Sequence, residues 1–201
     1  MQDRQGDRRF LLEDLGVGLH YLPDAARLAV LETADWVHLG TNSAQGLLRH
    51  LVTQGAGFSV DISTAHGALD LAGVPLVFAS GPEAEDAPVA PLIEGFLTRG
   101  ARRAVVTCGR RGAFYHDGDR LHRVAAQPVK VVDTCGAGDG FIAAFLADHM
   151  VAGMPAAEAL ARATAAAAGT CTHEGGFPQT LAPIPAWLRQ KYAGVIASAE
   201  E

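Results

Sequence analysis

The sequence predicts an α/β fold in which a mostly parallel sheet is covered by helices on both faces. Short apolar runs alternate with stretches of helical spacing along the first half of the chain, and this alternation is typical of βαβ units. Runs such as Ala104-Val105-Val106 are apolar at every position, which fits strands that are buried on both sides. The 201 residues are enough for a single domain, and they contain no linker or long repeat that would divide it.

The elements of the first half follow from apolar spacing and from residues that start or stop helices. Pro23 suits the first turn of a helix over residues 23–33. The apolar stripe of that helix is Leu28, Val30 and Leu31. Ser43 is expected to cap a helix that stops at Gly55, and another helix is expected within residues 83–98. The apolar runs that predict strands are residues 8–13, 36–39, 58–62, 75–79 and 104–108.

The second half of the chain is expected to open with a β-hairpin. Asp117-Gly118-Asp119 lies between two β-rich runs, residues 112–116 and 120–125. Asp-Gly at such a place is a strong hairpin signal, because glycine adopts positive φ without cost. The remaining expected elements are a strand over 129–132, helices over 138–152 and 155–168, a glycine-rich loop at 175–176 and a last helix over 183–192.

Charge and composition argue against several classes of protein. The chain has 16 Lys and Arg against 22 Asp and Glu, a net charge of −6, which argues against a nucleic-acid-binding surface. The longest apolar stretch, residues 141–154, is interrupted by Asp148 and His149 and is too short to cross a membrane. The three cysteines form no CxxC pair, so we expect neither a zinc ribbon nor a disulfide framework. We therefore expect the protein to be located in the reducing cytoplasm.

The most informative segment is residues 131–141, which passes from an apolar strand through small residues into an apolar helix. Gly136, Ala137 and Gly138 have little or no side chain, so their N–H groups can approach a ligand closely, and a helix N-terminus favours an anion. Asp139 lies at the same helix end. Its carboxylate is either a cap or dipole partner, or a general base that takes a proton from a hydroxyl as it attacks a phosphoryl group.

This segment also carries a family resemblance. Asp133-Thr134-Cys135-Gly136-Ala137-Gly138-Asp139 resembles the second signature of the ribokinase/PfkB family of carbohydrate kinases, which reads D-T-x-G-A-G-D before an apolar helix. Residues 107–113, 163–168 and 172–176 are similar, in the family's order, to its T-x-G-x-x-G nucleotide loop, its helix beside the adenine and its next loop. The resemblance covers essentially the whole chain, and residues 175–177 look most similar to fructoselysine-kinase-like members.

The resemblance implies a ribokinase-like fold and ATP-dependent transfer of the γ-phosphoryl group to a hydroxyl of a carbohydrate or sugar derivative. It implies that Asp139 is the catalytic base and that the amides of Gly136, Ala137 and Gly138 form the hole for charge on the moving phosphoryl group. The residues that match the family's nucleotide site are Thr107, Gly109, Gly112 and Thr164. Thr164 stands where many members have an asparagine near the adenine.

The resemblance also implies two kinds of metal ion. The positions that hold a monovalent cation, usually K⁺, in related kinases match the Asp133 carboxylate and the carbonyls of Cys135, Thr170, His173 and Gly175. Hard oxygen ligands suit such an ion. The family's N-x-x-E segment, which serves Mg²⁺ and phosphate, is matched by Ser80-Gly81-Pro82-Glu83. Glu83 agrees with that pattern, whereas serine replaces asparagine, so we expect weaker handling of Mg²⁺.

The front of the chain departs from the family. Complete members begin with a strand, an early aspartate that binds sugar hydroxyls, a G-G loop and a small β lid, and none of these precedes Met1. We therefore expect residues 1–201 to be the C-terminal portion of one PfkB-type kinase domain, without the opening strands and lid. An uncovered sheet edge is expected near residues 58–62 or 36–39, and such an edge invites self-association or binding of another chain.

Three functions stay open at this point. The first is a carbohydrate kinase, with a nucleotide and a sugar-like small molecule as its ligands. The second is a catalytically incompetent nucleotide-binding remnant of such a kinase, lacking the sugar-binding half. The third is a plain α/β domain with an incidental anion site. Nucleotide binding separates the third from the others, and turnover separates the first two.

Overall fold

The computed structural model describes residues 17–178, 180 and 183–198, and its centre is a six-stranded sheet. The strands are β1 (Val37–Leu39), β2 (Phe58–Asp61), β3 (Leu76–Ser80), β4 (Ala104–Thr107), β5 (Ala113–His116) and β6 (Leu121–Val124). They lie side by side in chain order; β1 to β4 are parallel, and β5 pairs antiparallel with both β4 and β6. The mixed, mostly parallel sheet confirms the predicted fold class.

Helices connect the strands and follow the hairpin. They are α1 (Ala25–Thr33), α2 (Gln45–Gln54), α3 (Ala90–Thr98), α4 (Ala137–Phe145), α5 (Ala156–Thr170), α6 (Ala186–Lys191) and α7 (Ala193–Ser198). A π-helical turn over Leu146–Val151 extends α4, and short 3₁₀ turns lie at Gly18–His20 and Gly109–Arg111. The strand expected over residues 8–13 lies outside the described residues.

The core is divided by the sheet into two apolar layers. On one face α2 and α3 contribute side chains such as Leu51 and Phe96, and on the other α4 and α5 contribute Phe145 and Leu160. Successive residues of β4 point alternately into these layers, and Val105 belongs to the α4 and α5 side. Ala104, Val105 and Val106 are all fully buried. The uninterrupted apolar runs therefore mark strands covered on both faces, as the sequence predicted.

Several local expectations hold and others do not. The Asp-Gly hairpin is present, and Gly55 ends α2 in the left-handed conformation, with φ of 68°. Ser43 does not cap α2. Its hydroxyl donates to the Gly40 carbonyl oxygen at 2.7 Å, and the capping position is Ala44. The side chain of Val30 is 66% exposed, so it does not share the apolar stripe of α1 with its neighbours.

The strand expected over residues 129–132 is wrong. Val131 and Val132 are exposed, and no ladder forms there in the described part of the chain. The backbone N–H of Val132 instead donates to the Cys171 carbonyl oxygen at 2.8 Å. The segment is apolar and β-branched, but no sheet strand lies beside it, and a strand needs a partner as well as propensity.

The sheet has two edge strands among the described residues, β1 and β6. β1 pairs with β2 alone, whereas β2 lies between β1 and β3. The edge expected near residues 36–39 or 58–62 is therefore at β1, and β2 is an inner strand. Within the residues that the structure describes, no helix has the length and apolarity needed to cross a membrane.

Candidate phosphoryl-transfer site

The parallel strands place their polar C-terminal ends along one edge of the sheet. β1 is followed by Thr41, while Asp61, Ser80 and Thr107 are the last residues of β2, β3 and β4. The Asp61 carboxylate accepts hydrogen bonds from the Thr41 hydroxyl at 2.8 Å and from the Ser63 N–H at 2.9 Å. In open parallel sheets ligands bind outside the carboxyl ends of the strands, so this edge is the expected place for a site.

The N-terminus of α4 is open to a ligand. Gly136 occupies the capping position with φ of 76°, and no side chain caps the helix. A Cβ on Gly138 would meet no heavy atom within 4 Å, so the space before the first turn is unfilled by the described residues. The first N–H groups of an α-helix have no partner within the helix, and the helix dipole favours negative charge beside them. The Ala137 N–H donates to the Thr134 carbonyl oxygen at 3.2 Å, whereas the N–H groups of Gly136 and Gly138 have no acceptor among the described residues. This end of α4 therefore offers those two donors to an anion.

Asp139 lies in the first turn of α4 and is not its cap. Its side chain is exposed, and its carboxylate makes no hydrogen bond to any of the described residues. The capping alternative from the sequence is therefore not what the structure shows, although an acidic residue in a first turn still interacts favourably with the helix dipole. The carboxylate is available to a molecule that binds at this end of the helix.

Asp133 ties this loop to the loop that follows α5. Its carboxylate is 7% exposed, and it accepts hydrogen bonds from the Cys135 N–H at 3.0 Å and from the Gly175 N–H at 2.9 Å. The two loops also touch at glycines, because a Cβ on Gly136 would lie 2.7 Å from the Cα of Gly176. A side chain at position 136 would push the loops apart. Glycine is thus required there by φ and by close approach together.

The potassium positions predicted from the resemblance lie on these same two segments. Cys135 and Gly175 are both hydrogen-bonded to Asp133, and Thr170 is the last residue of α5, followed by His173 in the adjoining loop. One carboxylate with several carbonyl oxygens fits a monovalent cation. In the described residues no group of three or more His, Cys, Asp or Glu side chains is placed to hold a metal ion.

The predicted nucleotide loop is a tight turn between β4 and β5. The Cys108 N–H donates to the Gly112 carbonyl oxygen at 2.8 Å, and the Gly112 N–H donates to the Gly109 carbonyl oxygen at 3.0 Å. Gly112 has φ of 88° and ψ of −143°, and a Cβ there would lie 2.0 Å from the Val124 carbonyl oxygen. This backbone conformation and this contact admit only glycine. Thr107, at the end of β4, begins the loop.

Glu83 lies against this nucleotide loop. A Cβ on Gly109 would lie 2.6 Å from the carboxyl carbon of Glu83, so the carboxylate occupies the space beside that glycine. The Arg111 guanidinium donates to the Pro82 carbonyl oxygen at 2.8 Å, which fastens the two segments together. The His66 Nε2 donates to the Ser80 carbonyl oxygen at 2.8 Å and holds the start of the Glu83 segment. Glu83, predicted to serve Mg²⁺, and the predicted nucleotide loop therefore lie next to each other.

Thr164, a predicted nucleotide residue, is buried within α5. It is 6% exposed, and its hydroxyl donates to the Leu160 carbonyl oxygen of its own helix at 2.9 Å. Its single hydrogen is therefore used within α5, and any further hydrogen bond would have the Thr164 oxygen as the acceptor.

His38 was not singled out by the sequence. It lies on β1 opposite Ser59 of β2, and its Nδ1 is 2.9 Å from the Ser59 hydroxyl oxygen. His38 is exposed by its accessible surface, but partial burial of its ring lowers its pKa, while the carboxylates of Asp61 and Asp139 act in the opposite direction. The ring meets Phe78 edge to face, which puts it on the sheet face that α4 covers. The relevant signal was the alternation along β1, which puts His38 on the opposite face from Val37 and Leu39.

A cavity of about 490 Å³ lies beside the hairpin turn, away from the C-terminal ends of the parallel strands. It is lined by the hairpin turn, including Asp117 and His122, by His149 and by the first turn of α5. The His122 Nε2 donates to the Asp117 carboxylate at 2.7 Å, and this hydrogen bond lowers the pKa of Asp117. None of the site residues predicted from the sequence lines this cavity, so we do not connect it with phosphoryl transfer.

Comparison with known proteins identifies the family of this chain. The family model of the pfkB family carbohydrate kinases matches residues 59–181, and the chain belongs to this family. The matched region contains both the 107–112 turn and the 133–139 loop. The family expected from the D-T-x-G-A-G-D segment is thereby confirmed.

Within this family, the chain is similar to two curated kinases that act on fructosamine-type compounds by name. The chain is 42% identical over 100 residues to fructoselysine 6-kinase of Escherichia coli (strain K12), a match covering 50% of this chain and 38% of that enzyme. It is 34% identical over 104 residues to fructosamine kinase FrlD of Bacillus subtilis (strain 168), covering 52% and 36%. The chain thus spans well under two thirds of the length of these curated relatives.

Solved structures share the fold. Ribokinase from Thermotoga maritima superposes with a TM-score of 0.71 at 21% identity, covering 98% of this chain and 67% of that one. Arabidopsis thaliana ribokinase, complexed with ribose and ATP, gives a TM-score of 0.65 at 22% identity, covering 76% and 54%. These likenesses confirm the ribokinase-like α/β architecture.

Proposed function

We propose that the chain carries out the phosphoryl-transfer part of an ATP-dependent carbohydrate kinase reaction. The observation that carries the proposal is the exposed Asp139 carboxylate, free of hydrogen bonds to described residues, beside an uncapped α4 N-terminus. A base and an anion-binding helix end side by side are what transfer to an alcohol requires. ATP as the donor is supported by the relatives' names as kinases and by the ATP-complexed ribokinase neighbour.

The proposed step is an in-line displacement. Asp139 accepts the hydrogen of the acceptor hydroxyl as that oxygen forms a bond to the γ-phosphorus and the bond from the γ-phosphorus to the β,γ-bridging oxygen breaks. ADP leaves with the electron pair of that bond. The N–H groups of Gly136 and Gly138 donate to the oxygens on which charge collects, and the Ala137 N–H joins them if it shares its hydrogen with the phosphoryl group as well as with the Thr134 carbonyl oxygen. The 107–112 turn holds the remaining phosphates.

The metal ions are part of the proposal, and the residues present fit them. Glu83 supplies one carboxylate beside the nucleotide loop, and Mg²⁺ is usually held by one or two carboxylates together with substrate phosphates. Bound Mg²⁺ would neutralise phosphate charge. Potassium would be held by the Asp133 carboxylate and by the carbonyls of Cys135, Thr170, His173 and Gly175. There it would stabilise the contact between the two loops.

The acceptor we propose is a sugar carrying an amine substituent, such as fructoselysine. The support is that two curated relatives act on such compounds by name, fructoselysine 6-kinase and a fructosamine kinase.

A second candidate function is nucleotide binding without turnover. The observation in its favour is that the matched stretch spans 38% of the length of fructoselysine 6-kinase.

The test is Asp139→Asn with Asp119→Asn as a matched control on the exposed hairpin turn. In a coupled ADP-release assay with fructoselysine, Asp139→Asn should lower the rate by roughly 10²–10⁴-fold, the usual size of general-base catalysis. Calorimetry should show unchanged ATP binding for both variants. Equal rates for Asp139→Asn and the parent would refute the base. ATP binding without turnover in the parent would favour the second candidate.

A further inference from the structure

Three side chains at the start of β1 and on β1 and β2 form a hydrogen-bonded chain: Trp36, which precedes β1, His38 of β1 and Ser59 of β2. The Trp36 indole Nε1 lies 3.0 Å from the Ser59 hydroxyl oxygen, and the His38 Nδ1 lies 2.9 Å from the same atom. Ser59 is fully buried, whereas His38 is exposed. The parallel register sets His38 directly opposite Ser59. One buried hydroxyl thus joins His38 of the edge strand to Trp36, the residue just before that strand.

The direction of this chain follows from the chemistry of its members. An indole N–H only donates, so the Ser59 oxygen accepts from Trp36. The Ser59 hydroxyl hydrogen is buried and needs an acceptor, and among the described residues its remaining hydrogen-bond partner is the His38 Nδ1. The His38 Nδ1 therefore accepts. In a neutral imidazole the hydrogen then lies on Nε2.

The ring is fixed by aromatic contacts on the face that carries α4. His38 meets Phe78 edge to face, with ring centroids 5.8 Å apart, and Phe78 meets Phe145 of α4 in the same manner at 6.1 Å. His38 therefore lies on the sheet face that α4 covers, one residue before the C-terminal end of β1. The Asp139 carboxylate, in the first turn of α4, acts to raise the pKa of His38. No described residue accepts a hydrogen bond from Nε2. A fixed donor is thus present on the same side of the sheet as the proposed base.

We propose that His38 is a specificity-determining residue whose Nε2–H donates a hydrogen bond to an oxygen of the carbohydrate acceptor, next to the hydroxyl that Asp139 deprotonates. Ser59 is the positioning residue, because its hydroxyl sets which ring nitrogen carries the hydrogen. The inference rests on the proposed function, since it names how that same site recognises its acceptor. The ligand class is a polyhydroxylated compound with an oxygen lone pair directed at Nε2.

The first part of the test needs no turnover. Long-range ¹H–¹⁵N NMR of the parent at pH 7, with His38 assigned by its loss in His38→Gln, should show hydrogen on Nε2 and a bare Nδ1. Ser59→Ala removes the donor to Nδ1 and should abolish this preference. A ring with hydrogen on Nδ1 in the parent would overturn the inference. Adding fructoselysine should shift the His38 resonances in the parent and less so in Ser59→Ala.

The second part separates this inference from the proposed function. In the ADP-release assay His38→Leu should raise KM for fructoselysine by about tenfold, with KM for ATP unchanged, since one neutral hydrogen bond is lost. His38→Gln should recover most of the affinity, because its amide also donates. Turnover with an unchanged KM in His38→Leu overturns the role of His38 and leaves the kinase intact. If the His38 resonances shift with fructoselysine but no turnover occurs, the role of His38 in binding the acceptor is supported and the proposed kinase activity is contradicted.

The variants need a folding control. Thermal melts of His38→Leu and His38→Gln should match each other, because both replace an exposed ring on the edge strand. If His38→Leu melts early, the comparison of His38→Gln with the parent and the NMR titration decide the question. Absence of both turnover and resonance shifts with fructoselysine would contradict the role of His38.

Discussion

Gly138→Ala should make the protein more stable and yet weaken ATP binding. Gly138 lies in the first turn of α4, and a Cβ there would meet nothing within 4 Å. Alanine is preferred over glycine in a helix by about 0.5–1 kcal/mol. For a chain of this size about 1 kcal/mol corresponds to a Tm change of roughly 2–4 °C. We therefore expect a Tm increase of that order or somewhat less.

The loss of ATP affinity has a geometric cause. Cα–Cβ bonds of a helix tilt toward its N-terminus, so the new methyl group would project into the space where phosphate oxygens meet the N–H groups. Such oxygens must approach to roughly 2.9 Å of the nitrogen to form a hydrogen bond. We expect the Kd for ATP to rise at least about tenfold, equivalent to a loss of ~1.4 kcal/mol of binding free energy.

The matched control is Gly95→Ala. Gly95 is exposed in α3, and a Cβ there also meets nothing within 4 Å, so the gain in helix stability should be similar. Its ATP affinity should equal that of the parent. Calorimetric titration with MgATP and differential scanning calorimetry measure the two quantities on each variant. A Gly138→Ala protein that binds ATP as tightly as the parent would refute the assignment of the α4 N-terminus as the phosphate site.

Three further predictions concern the cation, the hairpin and the sheet edge. If Asp133 and the loop carbonyls hold K⁺, ATP affinity should rise when K⁺ replaces tetramethylammonium at fixed ionic strength; an unchanged affinity argues against the site. The hydrogen bond from His122 lowers the pKa of Asp117 in the folded protein. The pair therefore stabilises the fold at pH values above the pKa that Asp117 has in the unfolded chain. This stabilisation is lost as the pH falls through the lower pKa of the folded state. Acid unfolding followed by circular dichroism should therefore show a shallower acid limb for Asp117→Asn, and an identical limb would contradict the pairing. Finally, the open side of β1 should promote self-association, which sedimentation velocity tests; a single monomeric species across a wide concentration range would contradict it.

Much of the fold could be predicted because its signals are local. Apolar runs marked β2, β3 and β4, the Asp-Gly pair marked the hairpin, and the small-residue loop marked the start of α4. The strand expected over residues 129–132 failed for a non-local reason. Its β-branched residues have the right propensity, but whether a neighbouring strand is present depends on the rest of the fold.

The candidate site could be predicted from the sequence where one segment carries it and not where two segments meet. The composition of the 133–139 loop by itself indicates an anion site. The bond from the Gly175 N–H to the Asp133 carboxylate joins residues 42 positions apart, and only the packing of α4 on α5 brings them together. The chain from Trp36 through Ser59 to His38 likewise depends on the register of β1 against β2. Neither pairing leaves a trace in the spacing of residues.

The most direct measurement of the central claim is the mapping of amide NMR shifts as MgATP is added to the parent chain. The account predicts that the largest changes fall on the N–H groups of Gly136, Ala137 and Gly138 and on the turn at Gly109 and Gly112, with little change at the distant hairpin turn. Changes concentrated instead on the hairpin turn and the cavity beside it, or no changes anywhere, would contradict the claim that this edge of the sheet is a phosphoryl-transfer site.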